Sequence, residues 1–369
     1  LKAPELITAP QRLNQLAETL LRSSAVAVDT EFFWERTFYP ILGVVQLATP
    51  EGCWLVDAVS LRDLRALGPV LASPSVVKVL HDAPQDLTIL ARATDAEPKN
   101  IFDTRLAAGF AGLLSTCSLQ ALISALLHIE LEKDETRSNW VHRPLRPNQL
   151  RYAADDVLYL LQAREALLAR CADPTVRAWL SEDLAQLDDP ALYADRDPRL
   201  MYLRVKGGSR LSARQLAVLR ELAAWRETEA RERDWPRSHV LPDDLLIALT
   251  LRAPDSRTAF FGVPDMPRNM PAAVADAALA AIALGLAVPD ETCPRPSADT
   301  FESRRALKSQ SDRLLAHLAA KCAVLGIDPN LAASRADADA YMRSLAQHAT
   351  EQGPLTRGWR KTLVADFQL

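Results

Sequence analysis

Apolar positions along the first half of the chain repeat in short β-branched runs. Ala25 to Phe32, Val44 to Ala48, Cys53 to Val56 and Val76 to Leu80 predict strands, and Lys99 to Phe102 a shorter one. Between and after them the period lengthens. Asp82-Ala83-Pro84 predicts a helix start with Pro84 near its first position. Asp103 precedes Thr104 and the apolar run Leu106 to Leu114, the pattern of an N-cap. Arg146-Pro147-Asn148 opens a third helix, whose Leu150, Val157, Leu158, Leu160 and Leu161 form a broad apolar face. Strands interleaved with helices place this half in the α/β class.

The second half carries helical signals only. Ser181 to Pro198 is acidic and interrupted by proline, and reads as a boundary. Ser212 then caps a helix through Leu216, Leu219, Leu222 and Trp225. Arg233-Asp234-Trp235-Pro236-Arg237 ends it, and Pro242-Asp243-Asp244 opens another from Leu245 to Leu251. Pro267 to Leu286 supplies more helix. The last segment, with Leu314-Leu315, Leu318, Leu325-Gly326-Ile327-Asp328-Pro329 and Gly358-Trp359-Arg360, is helical as well.

The chemistry sits where these elements begin and end. A side-chain period of two sends Asp29 and Glu31 off the same face of one strand. Asp86 falls in the first turn of the helix that Pro84 opens. Tyr152 and Asp156 are four residues apart, so they stack on one helix face, whereas Asp155 points about 100° away. Adjacent carboxylates repel unless a cation lies between them. Four of them without a His or Cys cluster favour Mg²⁺ or Mn²⁺, which take hard oxygen ligands. A pair of such ions clamps both oxygens of an in-line displacement at phosphorus. A lone Asp-x-Glu is usually a solvated turn, but three acidic stretches on suitable elements are a pattern.

Asp29-x-Glu31, the Asp86 stretch and Tyr152-x-x-x-Asp156 resemble the three motifs of the DEDD exonuclease superfamily in its tyrosine-containing branch. The flanks are more specific. Thr37-Phe38-Tyr39-Pro40, Val45-Gln46-Leu47-Ala48, His81 with Gln85-Asp86-Leu87, Phe102-Asp103-Thr104, Leu131-Glu132-Lys133, Trp140 and Arg143-Pro144-Leu145 are similar to bacterial ribonuclease D. The resemblance extends over the whole chain. It implies a ribonuclease H-like 3′–5′ exonuclease domain with a mixed sheet, followed by two all-α HRDC helical bundles. The expected divisions are 1–175 for the exonuclease, 176–207 for a linker, 208–290 for the first HRDC domain and 291–369 for a second, more divergent one.

The implied activity is a 3′ to 5′ exoribonuclease that releases nucleoside 5′-monophosphates and processes tRNA precursors. Asp29, Glu31, Asp86 and Asp156 would hold two divalent ions, Mg²⁺ or Mn²⁺, and Tyr152 would orient the attacking water. Thr30, Lys133 and Arg143 are expected to touch the substrate, although Arg143 and Trp140 could instead brace the third motif. His81 is expected to have a supporting role. A DNA exonuclease of proofreading or repair type is the alternative, because the same site cleaves either polymer; discrimination would rest on a 2′-hydroxyl contact. A non-catalytic helical nucleic-acid-binding protein is the other, and five intact site residues argue against it.

Composition changes this picture little. With 369 residues, 49% of them hydrophobic, the chain can bury several cores. No apolar stretch is long enough to span a membrane, and the N-terminus lacks a basic region followed by an apolar core, so a cytoplasmic location is expected. Cys53, Cys117, Cys171, Cys293 and Cys322 are odd in number and scattered, as reduced thiols would be. No obligate protein partner is inferred. Net charge is −4, yet Arg199 to Val240 holds ten basic residues against five acidic ones. Phosphate contacts are expected in that stretch.

Overall fold

The computed structural model describes residues 3–132, 135, 138–295, 301–346 and 353–368, the side chains of residues 209 and 301–304 excepted. Two compact units share the chain. One holds residues 1–33, 42–194 and 300–369, the other residues 34–41 and 195–299.

The first unit is built on a six-stranded sheet, β1 (Glu5–Ile7), β2 (Ala25–Phe33), β3 (Ile41–Thr49), β4 (Gly52–Asp57), β5 (Val77–Leu80) and β6 (Ile101–Asp103), in the order β1-β4-β3-β2-β5-β6. β4 pairs antiparallel with β3 and parallel with β1, and β5 pairs parallel with β2 and β6, so the sheet is mixed. Alternation divides its residues between two cores. Val26, Val28, Val45, Leu47 and Val56 face the helices α1 (Pro10–Leu20) and α2 (Pro84–Thr94). Ala27, Ala48, Cys53 and Val79 face α3 (Thr104–Phe110), α4 (Leu119–Leu127), α5 (Pro147–Leu158) and α6 (Leu160–Arg170). β1 has no counterpart among the predicted strands. It is three residues long and exposes Glu5 and Leu6, too short a run to alternate.

The expected linker at 176–207 begins as structure. α7 (Pro174–Gln186) is capped by Asp173, which accepts from the N–H groups of Thr175 and Val176 at 2.7 and 3.1 Å. Proline at the first helical position starts a helix as readily as proline elsewhere breaks one. Val176 and Leu180 are buried in the same core as Leu314, Leu318, Trp359 and Leu363. Residues 300–369, most of the segment expected as a last domain at 291–369, group with the first unit.

In the second unit, α8 (Ala213–Glu232) starts at Ser212 with a capping box to Gln215, as the pattern predicts. It packs with α9 (Asp243–Arg252) and α10 (Ala272–Ala287) around Leu219, Leu222, Leu246 and Ile282. A Cβ on Gly285 would lie 2.4 Å from the Val218 Cα, so only glycine lets α8 and α10 approach so closely. Residues 34–41 belong here too. Asp234 accepts from the N–H groups of both Phe38 and Tyr39 at 3.0 Å, and the Arg237 guanidinium lies 4.5 Å from the Phe38 ring centroid.

The basic surplus between Arg199 and Val240 is largely consumed inside this unit. Arg199 and Arg220 pair with Glu221, Arg214 with Asp290, Arg226 with Asp243, Arg231 and Arg237 with Glu227, and Arg233 with Glu229. Arg204, Lys206 and Arg210 have no such pair among the described residues and are exposed. The expectation of phosphate contacts along the whole stretch therefore narrows to these three, because an arginine already held by a carboxylate has less charge to offer a phosphate.

The C-terminal part of the first unit consists of α11 (Phe301–Leu325), α12 (Arg335–Ala346) and α13 (Gly358–Val364). Asp183 of α7 accepts from Trp359 Nε1 at 3.0 Å and from both terminal nitrogens of Arg360 at 2.7 Å. Trp179 stacks on Trp359 with centroids 5.1 Å apart. Removing one partner of a buried pair such as Asp183–Arg360 costs about 3–5 kcal/mol, since the other charge stays behind without its partner. Among the described residues, no helix is long and apolar enough to cross a membrane.

Candidate active site

β2 carries Asp29 and Glu31 on the face of Ala27, beneath α5. Ala153 and Ala154 of α5 are small and buried, which lets that helix lie close to the sheet and bring Asp156 over the strand end. Gln149 accepts from the backbone N–H of Arg146 at 3.0 Å and fixes where α5 begins. One oxygen each of Asp29, Glu31 and Asp156 falls within 4.8 Å of the others. Asp86 comes from the first turn of α2, on the other face, and is buried. Its carboxylate accepts a hydrogen bond from the Thr30 hydroxyl.

Asp103 sets the approach to α2. It caps α3 through Arg105 N at 2.8 Å, as the pattern predicts, and also accepts from Asp82 N at 3.1 Å and Ala83 N at 2.9 Å. Those contacts hold Asp82 in the left-handed region at φ 65°. His81 has its Nδ1 3.0 Å from Thr104 Oγ1 and its Nε2 3.1 Å from the Cys117 carbonyl, a supporting position away from the acids.

Burial, joined by repulsion from neighbouring acids, pushes every one of these carboxyls up. Asp29 lies well above the usual carboxylate range, through burial first and then Asp86, Asp156 and Glu31. Glu31 is raised to about 9 by burial and then by Asp156 and Asp86. Asp156 is raised to about 7 by burial, Asp155 and Asp86. Burial raises Asp86 to about 6, against the Thr30 hydrogen bond, which lowers it. Converging carboxylate oxygens without histidine or thiol are the donor set of a hard divalent cation.

The sign of the resulting pH dependence follows. Groups whose folded pKa is raised hold their protons more tightly folded than unfolded. Metal-free protein should therefore lose stability as pH climbs from about 4, the unfolded range, through the value of about 9 at Glu31. Binding a divalent ion needs the ionised acids, so the melting-temperature gain from Mn²⁺ over EDTA should be small near pH 5 and grow steadily to about pH 8. Thermal melts across that range check this; a gain independent of pH would place the ion elsewhere.

Tyr152 is half-buried one turn before Asp156, its ring 6.1 Å from that of Trp140. Asp155 stays outside the three-acid group and acts on Asp156 by repulsion. Thr30 does not offer its side chain to substrate as expected. Period two turns it to the face opposite Asp29, where it is 5% exposed and positions Asp86.

Arg143 stands in the bracing position that was the alternative to a substrate contact. Its Nε and Nη2 hold both oxygens of Asp57 at 2.8 and 2.7 Å, and its other donors reach the carbonyls of Gly43, Trp140 and His142. No donor remains for a phosphate. Lys133 lies outside the described residues. The Asp57 partner was not singled out from sequence, although an acid closing the apolar run Cys53 to Val56 was a visible signal. Gln46, on the cluster's face of β3, is fully buried with both amide atoms unpartnered among the described residues.

Residues 4–171 match the 3′-5′ exonuclease family model and residues 215–283 the HRDC domain model. Fold and acid cluster together define a 3′–5′ exonuclease that carries an HRDC domain. Ribonuclease D of Desulfotalea psychrophila is 39% identical over 372 residues, spanning 100% of this chain and 98% of its own length. That of Pseudomonas paraeruginosa is 38% identical, spanning 91% and 89%. The crystal structure of Escherichia coli RNase D superposes with a TM-score of 0.83 at 27% identity, covering 99% of this chain and 97% of the other. The chain belongs to the ribonuclease D family and is a 3′–5′ exoribonuclease.

Proposed function

We propose that the chain trims the 3′ ends of structured RNA, tRNA precursors in particular, and releases nucleoside 5′-monophosphates one at a time. The convergence of Asp29, Glu31 and Asp156 within 4.8 Å, with the Asp86 charge close enough to raise the Asp29 carboxyl, carries this reading. It is supported by the E. coli ribonuclease D, described as an exoribonuclease involved in structured RNA processing. The five free cysteines fit the reducing cytoplasm, where such RNA is made.

Asp29, Glu31, Asp86 and Asp156 would hold two ions of Mg²⁺ or Mn²⁺, which supply charge stabilisation at the scissile phosphorus. The protein does the rest by position. The Tyr152 hydroxyl donates a hydrogen bond that aligns the attacking water, and Glu31 accepts one from the terminal 3′-hydroxyl. Thr30 keeps the Asp86 carboxylate in one orientation, which matters because partners behind metal ligands typically tune affinity by about 10–100-fold. Arg143 and Asp57 hold the segment that leads into α5.

The test is an end-labelled tRNA precursor supplied with a 3′-hydroxyl or a 3′-phosphate. The first should shorten in single-nucleotide steps to 5′-monophosphates, and the second should persist. Internal cuts in a circular RNA, or equal turnover of the two ends, would overturn the reading.

A further inference from the structure

The second unit carries a cleft of about 300 Å³ beside the turn that ends α8. Its walls include Glu229, Arg233, Trp235, His239, Asn269 and Met270. Trp235 is 47% exposed, so much of its indole faces solvent at the cleft. The Arg233 guanidinium sits 5.3 Å from the indole centroid and is steadied by Glu229 one turn earlier. His239 and Asn269 are exposed, and among the described residues their side chains have no hydrogen-bond partner. An aromatic plane with a guanidinium over one face, leaving the other face for a ligand, and two unclaimed polar edges share one recess.

We propose that this cleft is a nucleobase-binding subsite, in which one base of single-stranded RNA stacks on Trp235 while His239 and Asn269 meet its edge. The occupant follows from the walls. A purely apolar peptide anchor would leave His239 and Asn269 unsatisfied, and a bare phosphate would leave the indole unused. A base presents a π-face and hydrogen-bonding edges together. Met270 lends a pliable apolar wall that accepts bases of different size. Stacking tolerates any sequence, which suits an enzyme that must hold whatever RNA it shortens. Asp234 fixes the platform, because the carboxylate next to Trp235 is tied to the N–H groups of Phe38 and Tyr39.

The inference rests on the chain acting on RNA, and the two are separable because binding is measured without metal. The probes are oligouridylate and oligoadenylate of about twelve nucleotides, 3′-phosphorylated and held in EDTA, each also made with abasic nucleotides. With the full chain, Trp235→Ala should weaken binding of the intact oligonucleotides about tenfold, and Trp235→Phe should recover most of the loss. The slope of log affinity against log salt should be the same in all three proteins, since stacking releases no counterions. Abasic oligonucleotides should bind the parent and Trp235→Ala alike. Unchanged affinity in Trp235→Ala would assign the cleft to another occupant, such as a peptide segment. A flattened salt slope, or an equal loss on abasic RNA, would also overturn the proposal by making the effect one of charge. Turnover of 3′-hydroxyl RNA by the parent protein reports separately on the exonuclease reading.

Discussion

Asp156→Asn and Asp29→Asn should each lower the rate of 3′-end hydrolysis by at least about 10³-fold while leaving the fold intact. Both acids belong to the three-residue cluster, and replacing a carboxylate by an amide keeps its shape while removing the charge that a cation needs. The same changes should stabilise the metal-free protein. Burial and neighbouring acids hold Asp29 and Asp156 above their usual range, so above neutral pH an ionised group at either position works against folding. Single-turnover kinetics with saturating Mn²⁺, combined with melts in EDTA near pH 8, read out both effects. Turnover within about tenfold of the parent in either variant would remove that residue from the site.

Tyr152→Phe should reduce kcat by about 10²-fold and leave KM within about twofold. The ring stays against Trp140, so packing survives and only the hydroxyl is lost. A hydroxyl that aligns water contributes when the water is driven toward phosphorus, not when RNA docks. Steady-state kinetics on a short single-stranded RNA separate the two parameters. A raised KM with kcat preserved would make Tyr152 a substrate contact instead.

These residues were legible because their spacing and their chemistry coincide. Period two fixes Asp29 and Glu31 on one strand face, and a four-residue interval fixes Tyr152 above Asp156, whatever the rest of the chain does. Helix-start signals placed Asp86 and the Asp103 cap in the same way. The partners of Thr30 and Arg143 were not legible for a common reason. Each lies within a motif, but its partner, Asp86 for one and Asp57 for the other, comes from a distant segment that no local rule reports.

Readable from the chain alone are the strands β2 to β6, the helices that carry Asp86 and Asp156, the donor chemistry of the cluster and the helical nature of the second half. Local periodicity and capping act within a few residues, so they survive without knowledge of the fold. Only the tertiary structure decided that Asp183 meets Trp359 and Arg360, drawing residues 300–369 into the first unit, and that residues 34–41 belong with Asp234. It also decided which arginines between 199 and 240 are already held by carboxylates. Long-range pairing depends on which surfaces close over one another, and charge counts along a chain do not record who neutralises whom.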